Sequence, residues 1–380
     1  MSLNIVYMNL VIAYNANETG ELVIRPGEKH PRSDPFVHNP PADHPVQSDK
    51  IPVGIIGLGR IASLLENDKL REKPCTHSGA VAANPDCVLV CGCDRDRGHR
   101  ELFAERWKAD VYADARTMLD KHNCSILIIA TYPDSHRYYS ELALRYRVPL
   151  VICEKPLADT LKDAKKIAAL SRSGDIKIIV NHERRYSADY LKVKSLLKEG
   201  SLGALCGVKA TLAMGRKRLL DVLWHDGTHL FDAMMFLTDS RIKHTAKFGV
   251  KLSSSSGVSF LAGMLESEKQ KIPFIIEVDA DRDMLVFEIE ISLAKGLIRI
   301  GNGVFEIWQS APSPYAEGFR SLKKIEGAWE GKTGYFSNML ADAVACLRDK
   351  ERLPQSSAAD ALSVIQYLHT LGRRTPNKSK

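Results

Sequence analysis

The stretch Ile51-Pro52-Val53-Gly54-Ile55-Ile56-Gly57-Leu58-Gly59-Arg60-Ile61-Ala62 decides the fold. A short apolar run ends on a glycine, a second glycine follows two residues on, and a small residue closes the pattern. Each position answers a steric demand. Gly57 takes a tight turn from strand into helix, Gly59 has no side chain to hold a pyrophosphate off the backbone, and Ala62 lets the helix lie close on the sheet. The N-terminus of such a helix offers unpaired N–H groups and a partial positive charge to phosphate oxygens. The expected cradle is therefore Gly57, Gly59, Arg60, Ile61 and Ala62. Glycine turns also join strands to helices for steric reasons alone. The strand before and the helix after are what make this one informative.

Outward from this turn the apolar runs repeat. Cys87 to Cys93, Ser125 to Ala130, Pro149 to Cys153 and Ile176 to Val180 read as buried parallel strands. Arg97 to Lys108, Ser135 to Tyr146 and Leu161 to Ser171 read as the helices between them. Alternation of this kind predicts a doubly wound sheet. Beyond about residue 200 the texture changes: Ala204 to Met214, Phe274 to Asp279, Leu285 to Ser292 and Gly296 to Ile300 are strand-like, and Gly301-Asn302-Gly303 is a hairpin-type turn. Helices are predicted near Asp226 to Leu237, Tyr335 to Leu347 and Ala358 to Leu371. The expected fold class is α/β: an N-terminal Rossmann domain over residues 51–172, then an α/β domain over 173–380 with a large, mostly antiparallel open sheet. Residues 1–50 read as a poorly structured extension, because Pro26, Pro31, Pro35, Pro40, Pro41 and Pro45 each remove a backbone donor.

Composition excludes several classes. The 380 residues are 44% hydrophobic and 26% charged, which is ordinary for a globular chain. The net charge of +7 is spread along the chain, and neither zinc-finger spacing nor an aromatic-interleaved basic motif points to nucleic acid. No uncharged apolar run reaches the roughly 18 residues that span a membrane. Leu3 to Tyr14 lacks the basic start and cleavage site of a secretory signal, so the cytoplasm is the expected compartment. The eight cysteines sit mostly in apolar runs and read as free thiols, and no resident metal is expected.

Asp94 ends the second strand, where a carboxylate accepts bonds from both ribose hydroxyls of an adenosine and favours NAD. It stands 35 residues after Gly59, against the usual ~20. The stretch Glu66 to Thr76 reads as an insertion that accounts for the excess. Arg95 and Arg97 follow, within reach of a 2′-phosphate, so NADP stays open.

At Val151-Ile152-Cys153-Glu154-Lys155-Pro156 the chain resembles the Gfo/Idh/MocA family of glucose–fructose oxidoreductase and inositol dehydrogenase. Ala130-Thr131-Tyr132-Pro133-Asp134-Ser135-His136, Asn181-His182-Glu183-Arg184-Arg185-Tyr186 and Glu199-Gly200-Ser201-Leu202-Gly203 carry the likeness further, over roughly residues 51–375. The resemblance implies hydride transfer at a secondary alcohol or ketone of a sugar, cyclitol or nucleotide-sugar, and a homo-oligomer formed through the C-terminal sheet. It assigns Thr131, Pro133 and His136 to the cofactor, places Glu154 in support of the nicotinamide, puts Lys155 beside the reacting hydroxyl, and allows a cis bond at Pro156.

The chemistry needs such a lysine. Alcohol oxidation must shed a hydroxyl proton as well as a hydride, and a desolvated lysine takes part in that transfer. The block Trp224-His225-Asp226-Gly227-Thr228-His229 corresponds to the family helix that supplies an aspartate and, four residues on, a histidine. Here His229 matches the histidine, but His225 stands in the place of the aspartate. His225 and His229 are catalytic candidates, Asp226 either caps the helix or touches substrate, and Asn181 and Arg185 are substrate candidates. If Arg216-Lys217-Arg218 faces the cleft, it favours an anionic substrate. The missing acid leaves two alternatives to an ordinary dehydrogenase: a non-catalytic dinucleotide-binding sensor or assembly subunit, and a glycosidase using transient NAD oxidation.

Overall fold

A computed structural model of the chain describes residues 50–215, 217, 221–244, 258–280, 282–329 and 331–373. The expected extension lies outside them but for Lys50, as do Arg216 and Arg218.

The first sheet has six parallel strands: β1 (Ile51–Ile56), β2 (Cys87–Cys93), β3 (Asp110–Tyr112), β4 (Ile126–Ile129), β5 (Leu150–Cys153) and β6 (Lys177–Val180). Their order is β3-β2-β1-β4-β5-β6. The order reverses between β1 and β4, and ligands of open α/β sheets bind in the crevice at such a switch point. Connecting helices are α1 (His77–Ala83), α2 (Arg97–Trp107), α3 (Ala115–Lys121), α4 (Pro133–Arg145) and α5 (Leu161–Arg172). Their starts follow local chemistry. Asp96, Asp114 and Thr160 each accept a bond from the backbone N–H three residues on. Pro133 opens α4, where its missing N–H costs nothing.

The helix expected directly after the glycine turn is interrupted. One turn forms, with Ser63 N bonded to Gly59 O at 3.0 Å and Leu65 N to Arg60 O at 2.9 Å. The chain then leaves through a 3-10 turn at Leu64–Asn67 and returns at Thr76, the N-cap of α1. There His77 N bonds Ile61 O at 3.2 Å and Ser78 N bonds Ala62 O at 3.0 Å. Those are the partners an unbroken helix would have if Thr76 followed Ser63. Residues 64–75 are thus looped out of a helix whose register is kept. This explains the long spacing from Gly59 to Asp94.

The second sheet has eight strands in the order β14-β13-β12-β11-β7-β10-β9-β8. They are β7 (Leu205–Met214), β8 (Arg241–His244), β9 (Val258–Glu266), β10 (Lys271–Asp279), β11 (Leu285–Leu293), β12 (Gly296–Gly301), β13 (Val304–Pro312) and β14 (Arg320–Ile325). Only β7 and β10 pair in parallel. On β10, Ile272, Phe274 and Ile276 are buried while Lys271, Pro273 and Ile275 are exposed, the alternation of a sheet packed on one face. α6 (Ala188–Glu199) and α7 (Gly227–Thr238) cover that face, with Phe231, Met234 and Leu237 in one cluster with Phe274 and Ile276.

The boundary expected between residues 172 and 173 cuts across the parallel sheet, because β6 lies beyond it. The chain end also returns to that sheet. Phe336, Met339 and Leu340 of α8 (Tyr335–Arg348) pack with Val53, Ile55 and Phe103. α9 (Ala358–Arg373) places Ala361 and Ile365 in the core with Val151 and Val180, and Val364 and Leu368 in the core beneath the second sheet. Apolar periodicity marks these helices but cannot say which sheet they cover.

Candidate functional site

The dinucleotide end is built around backbone. Gly57 has φ +87°, and a Cβ there would stand 2.6 Å from the Ala130 carbonyl oxygen. Gly59 faces open space, with no atom within 4 Å of a built Cβ, so the backbone there is free for a phosphate to approach. Ala62 is fully buried, whereas the Arg60 side chain is exposed. The carboxylate of Asp94 fixes the turn: Oδ2 accepts from Leu58 N at 2.8 Å and Oδ1 from Asp96 N at 2.9 Å. His99 Nδ1 lies 3.3 Å from Oδ2 as well, and since a carboxylate has about four acceptor positions, one remains for a ribose hydroxyl. Arg95 is exposed beside it, and its carbonyl and that of Asp94 accept from Arg100. These residues fit a dinucleotide.

Thr131 and Pro133 sit at the end of β4 on the other lip of the crevice, with Thr131 Oγ1 2.7 Å from Ser135 Oγ. His136 is a correction. It is fully buried, its ring standing between the Thr131 carbonyl at 3.1 Å and the Leu157 carbonyl at 3.3 Å. Burial holds its pKa below the usual histidine value. It fastens the loop after β4 to the segment after Pro156 and is not presented to a nucleotide.

Glu154 is likewise buried, supporting its neighbourhood from behind. Its Oε1 accepts from His77 Nε2 at 2.8 Å and from Asn181 Nδ2 at 2.6 Å, and Oε2 accepts from Lys155 N at 3.3 Å. Burial alone would raise its pKa, but these bonds and the Lys155 charge win, so the carboxyl is held below its ordinary value. Asn181, read as a substrate contact, therefore spends its amide on Glu154, while its Oδ1 is buried without a partner. The Lys155–Pro156 bond is cis.

Lys155 Nζ donates to the backbone carbonyl of His225 at 3.1 Å, which Thr228 Oγ1 also reaches at 3.0 Å. The second block starts as a π turn, Val222–Asp226, before α7. Such a turn carries an extra residue, so the simple stacking of positions four apart does not hold here. The His225 side chain is exposed, while His229 is turned inward with a buried Nδ1 that has no hydrogen-bond partner. Burial, then the charges of Lys155, Arg184 and His182, hold the pKa of His229 well below its ordinary value. Asp226 makes no capping bond and instead meets Lys217 Nζ at 3.3 Å.

Arg185 is a second correction. It is buried and paired with Asp232 of α7, Nε lying 2.8 Å and Nη2 2.9 Å from its oxygens, and it also donates to Gln355 O at 3.0 Å. Rather than touching substrate, it ties β6 to α7 and the start of α9. Burial would raise the pKa of Asp232, but Arg185 and His182 hold it far below the carboxylate range. His182 Nδ1 lies 3.2 Å from Asp232 Oδ1, and its ring meets that of His229 nearly edge-on, with centroids 6.2 Å apart. A carboxylate thus reaches the neighbourhood of His229 through His182 and from α7, not from position 225.

Sequence reading missed His77, His182 and Asp232 as site residues. His182 and Asp232 lay beside residues already singled out. His77 gave no signal until the insertion is removed, which returns it to the turn after Ala62.

A parallel sheet with a glycine turn and a strand-end carboxylate at its switch point defines a dinucleotide-binding Rossmann protein. Residues 51–182 match the Gfo/Idh/MocA model, described as an oxidoreductase family with an NAD-binding Rossmann fold, and over this segment the chain is similar to that family. It is 32% identical to the D-apiose dehydrogenase of Rhizobium rhizogenes over 112 residues, 29% of this chain and 32% of that protein. It is 29% identical to the inositol 2-dehydrogenase of Salmonella typhimurium over 151 residues, 40% of this chain and 42% of that one. The match thus spans less than half the length of these curated relatives. The WlbA dehydrogenase of Bordetella pertussis, solved with NADH and UDP-GlcNAcA, shares the fold at a TM-score of 0.65 and 19% identity, over 87% of this chain and 96% of that one. No helix among the described residues is long and apolar enough to cross a membrane.

Proposed function

We propose that this protein is an NAD-dependent oxidoreductase that interconverts a secondary alcohol and its ketone on a sugar or cyclitol. The observation that carries the reading is the seat of Lys155: its backbone is held by the buried Glu154, its Nζ rests on the His225 carbonyl, and its charge acts on the ring of His229, whose buried Nδ1 has no partner. The dehydrogenase names of the sequence relatives support the same class.

The cofactor, when bound, supplies the hydride acceptor or donor. The chain's own residues manage the proton. In oxidation, the substrate hydride leaves carbon, the C–O bond becomes a carbonyl, and the hydroxyl proton passes to Lys155 Nζ as a neutral amine. In reduction, the ammonium returns it. Burial, then the charge of Lys155, holds His229 neutral, so its ring can share a hydrogen bond with substrate but resists taking up a charge. His182, whose Nδ1 lies 3.2 Å from Asp232, packs its ring against that of His229. Asp94 favours NAD, because its carboxylate would oppose a 2′-phosphate.

Mass spectrometry of the co-purifying dinucleotide, followed by a panel of polyols, sugars and nucleotide-sugars read at the NADH absorbance, tests the proposal. Turnover of a polyol or sugar with NAD is the expected result. A protein that binds dinucleotide tightly but oxidises or reduces nothing in the panel would overturn it in favour of a sensor or assembly subunit. Assembly through the second sheet belongs to the same proposal, since Phe260 and Ile275 stand exposed on neighbouring strands of its outer face. A monomer by light scattering would remove that part.

A further inference from the structure

Asp94 has little acceptor room left, and one of its neighbours can give room back. Each carboxylate oxygen takes about two hydrogen bonds. Oδ2 accepts from Leu58 N at 2.8 Å and has His99 Nδ1 3.3 Å away, so it is full. Oδ1 accepts from Asp96 N at 2.9 Å and keeps one position. An adenosine ribose presents two neighbouring hydroxyls, and a carboxylate that grips both needs a second open position. The Leu58 and Asp96 bonds come from backbone that shapes the glycine turn and the start of α2. The bond that yields is therefore that of His99.

His99 is placed to move. It stands in the first turn of α2, where its backbone N–H donates to the capping carboxylate of Asp96 at 2.7 Å. Its side chain is 37% exposed, so the ring can turn to another rotamer without breaking a helix bond. The cations around it differ in freedom. Arg97 Nε lies 2.6 Å from Glu101 Oε1, and Arg100 Nη1 donates to the carbonyls of Asp94 and Arg95. The exposed Arg95 side chain has no partner among the described residues.

This arrangement bears on the 2′-phosphate that separates NADP from NAD. A bare carboxylate opposes that phosphate, and a nearby arginine accommodates it. While His99 stays on Oδ2, its N–H covers the carboxylate, and Arg95 offers an unengaged fork to the phosphate. Once His99 leaves, Asp94 is bared for the ribose of NAD.

We propose that His99 sets the balance between the two dinucleotides: it competes with the ribose of NAD for Asp94, and by staying on Asp94 it admits NADP. The inference rests on the oxidoreductase reading and names a second cofactor for the same crevice. Fluorescence titration of the full chain with NADH and with NADPH, in the absence of substrate, tests it in the wild type, His99→Ala, His99→Asn and Arg95→Ala. His99→Ala should bind NADH about fivefold tighter and NADPH about fivefold more weakly. His99→Asn, whose amide N–H can take the place of Nδ1, should keep the wild-type ratio. Arg95→Ala should weaken NADPH about tenfold and leave NADH little changed. Tighter NADH binding on loss of a contact is the sign that a merely structural histidine would not give. The inference falls if His99→Ala weakens NADH binding or leaves the NADPH/NADH ratio unaltered, or if His99→Asn behaves as His99→Ala. Turnover of a polyol with an unaltered ratio would sink this inference alone. The expected shifts in Kd without turnover of any substrate would sink the oxidoreductase reading and leave a dinucleotide sensor. Binding of neither dinucleotide would sink both.

Discussion

At the dinucleotide end, the groups that would meet a cofactor come from strand ends a few residues long, and most are backbone or tied to backbone. Gly57 is pressed against Ala130, and Asp94 holds the amide of Leu58. At the substrate end, Lys155, His182, His229 and Asp232 come from separate elements and meet through side chains, one of them with a buried nitrogen left unpaired. The first end is rigid and general, as suits a ligand shared by many enzymes. The second is assembled from side chains far apart in the sequence, and the carboxylate near His229 is Asp232 of α7, reached through His182.

That contrast can be broken at either end. The largest effect is expected from Lys155→Met, which should slow turnover by about 10²–10⁴-fold while NADH fluorescence titration shows unchanged cofactor affinity. A parallel loss of cofactor binding would mean that the two ends are not separable. Asp232→Ala comes next. It strands the buried Arg185, and breaking a buried pair costs about 3–5 kcal/mol, read as a lower denaturant midpoint. His77→Ala should cost about 1–3 kcal/mol by leaving Glu154 with an unmet bond, and should lower kcat more than it changes KM. The pH dependence sharpens the picture. His136 and His229 have folded pKa values below the ordinary one, so the unfolded chain takes up their protons first as pH falls. Their stabilising contribution is present above about pH 6.5 and is lost as pH drops below it. The melting temperature should fall over that window, and by less in His136→Asn. The smallest effect is expected from Glu72→Gln, since Glu72 accepts from Thr333 N and Gly334 N at the start of α8; about 1 kcal/mol is the scale of a lost cap.

What the sequence disclosed follows the same divide. β1, β2, β4, β5 and β6 announced themselves because buried parallel strands are continuous apolar runs, and the glycine turn because its chemistry is local. β3, with Val111 flanked by Asp110 and Tyr112, has too little apolar character to be seen. β8, β9, β13 and β14 escaped notice at the flanks of the second sheet. Arg185 was misjudged for a different reason. A cation near a cleft reads as a ligand contact until its partner is known, and that partner lies 47 residues away on α7. Likewise, the face on which His225 and His229 would align was drawn for a regular helix, and the π turn changed it. The motif blocks were legible as positions; the contacts among them were not, because they depend on elements far apart in the chain.

The looped-out residues 64–75 have a practical meaning. Because His77 and Ser78 bond to Ile61 and Ala62 as an unbroken helix would, Ser63 and Thr76 form a ready-made splice junction. The segment between them is a cassette: it can be shortened, exchanged or removed without shifting the phosphate cradle before it or the Glu154 lock after it. What such an exchange would alter are the bonds from Thr76 Oγ1 to Glu66 and from Arg106 to Asn67, and the brace that Glu72 makes to the start of α8. A change confined to this one loop can therefore alter the surface near α8 while the register of the helix after the glycine turn is kept.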